Sequence, residues 1–449
     1  MINKAKLTIN QNRSIREALE SIEANTAGVV MGVDDKERLV GIASDGDIRR
    51  FLLKNGSLDD PIAMCLNLDC YCADAATSRE TILKYLDRGF KIVPLVNKRK
   101  EIIEVFSAKY LPLMGKRMPI IRAQAPVRLS FGGGGSDLTK HFIGNQGFVL
   151  NSSVSLYSHA TLITNPSAEI NIQSEDLNAS ISFKSFDDLC AYNPEYCDFS
   201  LIIAVLKIIE PTVGFTLVLR SDYPIKTGLG GSATISAAII GCFNLLYGQR
   251  WTDHEVAEIA FQAERLSLGI RGGWQDQYAS VVGGVNLMQF GDGDNLIHPL
   301  RLKPQSLLEL ESNLLLCFTG TNHNSGEIHD HTDKNLEAIQ QSAQIAQIMY
   351  KALLKGDFSE FGRLLDKAWT LKRLQNTKIS NKKLDDIYKM AINNGAVGGK
   401  LMGAGGGGYF AFFVKPENRM KLATALMKNK MQLIPFKFDS EGLTTWIVN

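Results

Sequence analysis

No uninterrupted apolar run in the chain approaches the roughly 20 residues that a helix needs to cross a bilayer. The opening MINKAKLTINQNRSIREALE also lacks the apolar core of a secretory signal. A membrane partner is therefore excluded and a cytoplasmic location expected. Charge of one sign is scarce as well: 49 Lys and Arg stand against 47 Asp and Glu, a net charge of +2. That balance gives no bulk attraction to nucleic acid or to an anionic membrane surface. Paired C-x-x-C units are missing, and the seven cysteines, Cys65, Cys70, Cys72, Cys190, Cys197, Cys242 and Cys317, are an odd number spread over the chain. They read as reduced thiols. Cys70 and Cys72 have one residue between them and no nearby His, which is poor zinc spacing.

What the chain does have is glycine in concentrated runs. The stretch 222–240, DYPIKTGLGGSATISAAII, places Gly228, Gly230 and Gly231 just before a helix expected to open near Ser232. Bare backbone N–H groups at a helix start, with no Cβ in the way, form a cradle for phosphate. The P-loop pattern fails, because Gly231 and not Lys precedes Ser232. Gly228, Gly230 and Ala233 match the dinucleotide fingerprint G-x-G-x-x-A. However, SDYPIKT separates the strand FTLVL (215–219) from the first Gly, and no second strand with a terminal acid follows. A nucleotide-phosphate loop of another kind remains.

At 449 residues, two to four domains of about 100–200 residues are expected. Residues 1–113 hold two passes of helix then strands, NRSIREALESIEAN with AGVVMGVD and RLVGIAS, then SRETILKYLDRGF with KIVPLVN and EIIEVFS. A helix beginning at DGDIRRFLLKNG is expected to be capped at or near Asp45. This part, with GIASDGDIRRFLLKNGSLDDPI, resembles a tandem CBS-domain pair. The resemblance implies that Ser44 contacts a ligand phosphate and Asp47 a ribose, hence a site for an adenine nucleotide, and that the chain associates into homo-oligomers. Read from the residues alone, Ser44 and Asp47 are a helix cap. The second pass keeps Ser107 but has Tyr110 where the Asp would fall.

After a join at GKRMPIIRA (115–123), VRLSF reads as a strand leading into four consecutive glycines, Gly132 to Gly135, then Ser136 and Asp137. Packing does not justify such a run, because each Gly loses backbone entropy and buries nothing. Helices are expected over 199–210, 233–247, 335–357, 359–375 and 382–394, and a core strand over 313–320. From Thr252 a helix carries Val256, Ile259, Ala260 and Ala263 on one face and Glu264 near its end. Asp276 sits between two Gly pairs. A last Gly-rich stretch, GAVGGKLMGAGGGGYFAFFV (395–414), carries Lys400 and leads into a buried strand.

APVRLSFGGGGSDL, PIKTGLGGSATISAA and KLMGAGGGGYF appear in the order of the three motifs of the GHMP kinases, and residues 122–449 resemble that superfamily. GGGGSDL and GGWQDQ resemble its D-glycero-D-manno-heptose 7-phosphate kinase and fucose kinase branches. The fold so implied is α/β (α+β): a CBS pair over 1–118, a ribosomal-protein-S5-like lobe over 119–300 and an α+β lobe over 301–449. The function implied is ATP- and Mg²⁺-dependent phosphorylation of a heptose 7-phosphate at its anomeric hydroxyl, for surface-polysaccharide precursors. A free sugar such as fucose is the alternative substrate, and a non-catalytic nucleotide sensor the alternative class. By motif position, Lys226, Thr227, Gly228, Leu229, Gly230, Gly231, Ser232 and Ala233 wrap the ATP phosphates, and Ser232 with Glu264 hold Mg²⁺. Asp276 orients or deprotonates the sugar hydroxyl, with Arg128 near the transferring phosphate. Asp137, Gly134, Gly135, Ser136, Gly405 and Gly406 meet the sugar. His323 stands where the heptose kinases are expected to carry an Arg, and His323, His329 and His331 mimic a metal cluster but read better as a solvated helix start. Lys372 and Arg373 are either a source of charge for a sugar phosphate or simply exposed.

Overall fold

The computed structural model describes residues 4–111, 119–192, 198–224, 227–320 and 335–448. The chain divides into two compact units, Met1–Arg117 and Met118–Asn449. Among the described residues, no helix is long and apolar enough to cross a membrane.

In the first unit, helix Ile15–Asn25 starts at a capping box in which Ser14 and Glu17 satisfy each other's backbone N–H, and it buries Ile15, Ala18 and Ile22. Strand Val29–Val33 lies between Thr8–Asn10, parallel to it, and Leu39–Ser44, antiparallel. Helix Asp45–Leu52 is capped by Ser44, not by Asp45. The second pass supplies helix Arg79–Asp87 and the hairpin Ile92–Val96 with Ile102–Ser107. Apolar side chains of both passes share one cluster, with Met31 and Leu39 from the first and Ile92, Ile102 and Val105 from the second. The burial pattern therefore makes the two passes parts of one folded body.

The second unit holds an eight-stranded and a four-stranded sheet. In the larger sheet the long strand Gly147–Asn165 pairs antiparallel with Ile120–Gly132, Gly214–Ser221 and Val285–Phe290. Helices Ser200–Ile209, Gly231–Leu246, Asp253–Phe261 and Gln275–Val282 cover one face of it, and Gly231–Leu246 is apolar almost all round because it runs through the middle of that core. The smaller sheet runs Ala396–Leu401, Tyr409–Val414, Leu314–Phe318, Gln432–Ile434, all antiparallel. Helices Leu336–Lys355 and Phe358–Gln375 help fill a second core that joins the two sheets, where Phe131 meets Phe361 and Phe413 lies nearby. One boundary differs from the sequence expectation. Strand Thr444–Val448 pairs antiparallel with Ile120–Gln124, so the end of the supposed second lobe belongs to the first sheet.

This arrangement brings the three Gly-rich segments together. A Cβ at Gly403 (φ +70°) would collide with the backbone of Gly228, so the last Gly-rich stretch packs directly on the phosphate loop. Phe131, fully buried with its ring centroid 5.2 Å from that of Phe361, holds the strand that ends in Gly132. Phe131→Ala is expected to cost about 3–5 kcal/mol, read as a lower urea midpoint. An unchanged midpoint would show that the two sheets are held together elsewhere.

Candidate active site

Arg128 sits near the end of strand Ile120–Gly132 and is 3% exposed. Its Nε donates to Asp276 Oδ1 at 2.8 Å, a second guanidinium nitrogen lies 2.7 Å from the same oxygen, and Nη1 donates to the Gly228 carbonyl at 2.9 Å. Strand, phosphate loop and the first turn of helix Gln275–Val282 thus meet at one side chain. Gly230 is the N-cap of helix Gly231–Leu246 with φ +84°, and no side chain caps that end. The first N–H groups are left for a ligand anion. A Cβ on Gly230 would stand 3.2 Å from the Asp276 carboxyl carbon, so this carboxylate closes one side of the cradle. The Thr227 hydroxyl donates to the Pro224 carbonyl, and the Leu229 side chain is buried in the core; these two residues anchor the loop. Ala233 is buried in the helix's first turn.

The expected helix through Glu264 stops being α at Phe261 and continues as a π turn, Gln262–Ser267. The wider turn carries Glu264 into the protein, 5% exposed, as π segments at functional sites often do. Burial pushes its carboxyl above the ordinary range; Arg265, the Ser232 hydroxyl and the Gln277 amide work the other way. Gln277 Nε2 donates to Oε2 at 2.9 Å. An exposed serine hydroxyl beside a buried, under-compensated carboxylate is a donor set that suits Mg²⁺, which takes few protein oxygens and keeps water and phosphate as its other ligands. Among the described residues, no three His, Cys, Asp or Glu side chains gather into a fuller metal cage.

Asp137 is buried, its carboxylate accepting from the backbone N–H of Gly135 at 3.0 Å and of Gln275 at 3.4 Å. Burial, then the charge of Asp276, push its carboxyl up. A Cβ at Gly273 would fall on this carboxylate, which explains one member of the Gly pair before Asp276. Two lysines complete the wall, and both are buried. The Lys372 ammonium donates to the carbonyls of Leu401, at 2.9 Å, and Gly403; that of Lys400 donates to the Ser130 carbonyl. Burial pulls both ammoniums down. Lys400 and Arg128 add to the effect at Lys372, and Arg128 adds to it at Lys400, which falls to about 7. Arg373, by contrast, pairs with Asp385 and lies over the Trp369 ring.

These groups line a cavity of about 460 Å³. Among its lining residues, Ser130 Oγ, Gln275 Oε1 and Arg265 Nε are buried without a hydrogen-bond partner, so polar capacity is left over for a ligand. Leu177, Leu201, Ile202, Ile235 and Leu268 contribute apolar wall to the same cavity.

Several expected contacts fall elsewhere. The Ser136 hydroxyl is consumed by the Gly133 carbonyl and the Phe148 backbone, so it braces the Gly132–Gly135 loop and is not among the residues lining the cavity, while Gly134 and Gly135 do line it. From the last Gly-rich stretch, Gly403 and Ala404 line the cavity; Gly405 and Gly406 pack on Ile379 instead. Lys226 and the cluster His323, His329 and His331 lie outside the described residues. In the first unit Ser44 and Asp47 form a reciprocal capping box, with Asp47 also paired to Arg50. The second pass has Ser107 and Tyr110 joined through their backbones.

The chain matches the models for the GHMP kinases N terminal domain over residues 200–284, the GHMP kinases C terminal region over 349–432 and the CBS domain over 2–54. It is 36% identical to the D-glycero-alpha-D-manno-heptose 7-phosphate kinase of Campylobacter jejuni, over 73% of this chain and 99% of that protein. It is 26% identical to the L-fucokinase/L-fucose-1-P guanylyltransferase of Bacteroides fragilis over 69% of this chain and 36% of that protein. A solved D-glycero-D-manno-heptose 1-phosphate kinase from Bacteroides thetaiotaomicron superposes with a TM-score of 0.62 at 29% identity, covering 73% of this chain and 99% of that one. Three Gly-rich motifs converging on one cavity, and a relative matched almost from end to end, lead to one conclusion: the chain belongs to the GHMP kinase family and carries a CBS domain at its N-terminal side.

Proposed function

We propose that this ATP-dependent sugar kinase phosphorylates D-glycero-D-manno-heptose 7-phosphate at its anomeric hydroxyl, giving the 1,7-bisphosphate. The observation that carries the choice of a phosphorylated sugar is the set of three buried cations, Arg128, Lys372 and Lys400, beside one cavity. Lys400 and Arg128 help hold the Lys372 ammonium down, and Arg128 helps hold that of Lys400 down, so an anion bound among them relieves a repulsion present without it. With the transferring phosphate of ATP at Arg128, a phosphorylated sugar supplies a second anion for Lys372 and Lys400, and a free sugar does not. The similarity to the Campylobacter heptose 7-phosphate kinase points the same way. Against a non-catalytic sensor stand Ser232, Glu264 and Asp276, all lining the same cavity.

In this reading the loop from Thr227 to Ala233 holds the ATP phosphates and Ser232 with Glu264 hold Mg²⁺. Bound there, the cation neutralises charge on the triphosphate. Asp137 accepts from sugar hydroxyls. Asp276 orients the anomeric hydroxyl and takes its proton as the new bond forms, while Arg128 fixes that carboxylate and faces the transferring group. Phosphoryl transfer demands positioning and charge stabilisation above all, and these residues provide both.

The reading is tested by ADP release with Mg²⁺-ATP against heptose 7-phosphate, free heptose, fucose, galactose and mannose. Turnover is expected with heptose 7-phosphate; turnover on a free sugar alone would overturn the substrate assignment. Asp276→Asn is expected to lower kcat by about 10²–10⁴ with ATP affinity kept, and an unchanged kcat would remove Asp276 from the chemistry. Lys400 gives a pH signature. Its ammonium is held at about 7 in the folded chain against 10.5 ordinarily, so between those values the unfolded chain binds the extra proton and stability rises with pH. Phosphate binding needs the protonated form, so KM for the sugar phosphate is expected to climb as pH passes 7. Lys400→Met should raise KM and flatten that profile; a profile identical to that of the native enzyme would dismiss the role.

For the first unit we propose adenine-nucleotide sensing through Ser44 and Asp47, supported by the CBS match over 2–54. Asp47→Ala removes half of the capping box, at a cost of about 1 kcal/mol, and is expected to weaken any effect of adenylates on rate. If adenylates change neither the rate nor the melting temperature of the native protein, sensing is ruled out.

A further inference from the structure

The first unit holds a second chemical feature, away from Ser44 and Asp47. Cys70 and Cys72 lie in a connection whose backbone is pinned on both sides: Asn67 and Ile42 exchange N–H and carbonyl bonds, and Ala73 bonds to Pro94 and Val96. Between these anchors the two Sγ atoms are 4.0 Å apart. A disulfide needs about 2.05 Å, so each sulfur has only about an ångström to travel, within reach of small side-chain rotations. Both side chains are half-buried, packed against the cluster that joins the two passes but still open to solvent.

None of the other described cysteines combines the two properties. Cys65, Cys242 and Cys317 are buried, with thiols pushed up chiefly by burial, and Cys190 is exposed but solitary. The pair is also chemically asymmetric. The hydrogen bond the two sulfurs share, assisted by the Lys100 ammonium, draws the Cys72 thiol below its ordinary range, while Cys70 is pushed up. Cys72 is then the readier attacking sulfur, with Cys70 beside it to resolve.

We propose that Cys70 and Cys72 form a redox-responsive dithiol that closes into an intramolecular disulfide by exchange with a small-molecule disulfide such as glutathione disulfide. The Cys72 thiolate attacks one sulfur of the oxidant, forming a mixed disulfide and expelling one thiolate. Cys70 then gives up its proton and attacks the Cys72 sulfur, forming the internal bond and expelling the second thiolate. The two cysteines lose two electrons and two protons, and one oxidant disulfide becomes two thiols. Closure pulls on a connection tied to Ile42 at one end and to the second hairpin at the other, so the oxidised state stiffens the link between the two passes.

The full-length protein, equilibrated in glutathione buffers of graded oxidation, acid-quenched and alkylated under denaturing conditions, gives the readout by mass spectrometry. The expected result is loss of two alkylation sites, a mass lower by two hydrogens, and a cross-link within the peptide carrying Cys70 and Cys72. In Cys70→Ser the reaction is expected to stop at glutathione on Cys72, and in Cys72→Ser the closed form should be lost. Full alkylation of both cysteines at every buffer ratio, a persistent glutathione adduct without closure, or pairing of either cysteine with a different one would each overturn the proposal.

Discussion

A single buried guanidinium ties the catalytic centre together. Arg128 spends two N–H contacts on Asp276 Oδ1 and a third on the Gly228 carbonyl, joining its own strand to a loop and a helix that are 100 and 148 residues away from it along the chain. A charge this deep is tolerable only when paired and hydrogen-bonded, and loss of one partner from such a pair typically costs about 3–5 kcal/mol. The same contacts set the distance between the phosphate loop and the Asp276 carboxylate. Stability and the geometry of the candidate active site are therefore one constraint, and neither can relax without the other.

Around that pair the protein holds more charge than it can comfortably satisfy. Burial pushes the carboxyls of Asp137 and Glu264 up and the ammoniums of Lys372 and Lys400 down, so all four groups are driven toward neutrality. Lysine ammoniums on backbone carbonyls and carboxylates on backbone or amide N–H groups are partial remedies. In the proposed function the rest of the compensation falls to ligands, phosphate for the cations and a metal ion for Glu264.

Backbone chemistry at this site is legible in the sequence, and side-chain burial is not. Gly228, Gly230 and Gly231 announce an anion cradle because no core needs three glycines there, and the spacing around Asp276 marks a constrained backbone. The π turn at Glu264 left no mark, since the apolar stripe through Ala263 reads as ordinary helix. Lys372 and Lys400 look like surface lysines in any local window, because what buries them is contact with segments such as Ser130 and Gly403 that are remote in sequence. Ser136, Gly405 and Gly406 show the converse error. Motif proximity suggested ligand contact, but the hydroxyl and the backbone there serve the loops themselves.

The strand Thr444–Val448, paired with Ile120–Gln124, has a consequence for how the molecule comes into being. Emerging from the ribosome, the kinase unit exposes its first strand with one edge bare until more than three hundred further residues have been made. The pairing closes a loop around both sheets, so the register of the larger sheet's first strand depends on one of the most non-local contacts in the unit. Strand Thr444–Val448 thus acts as a clasp on an edge laid down long before it.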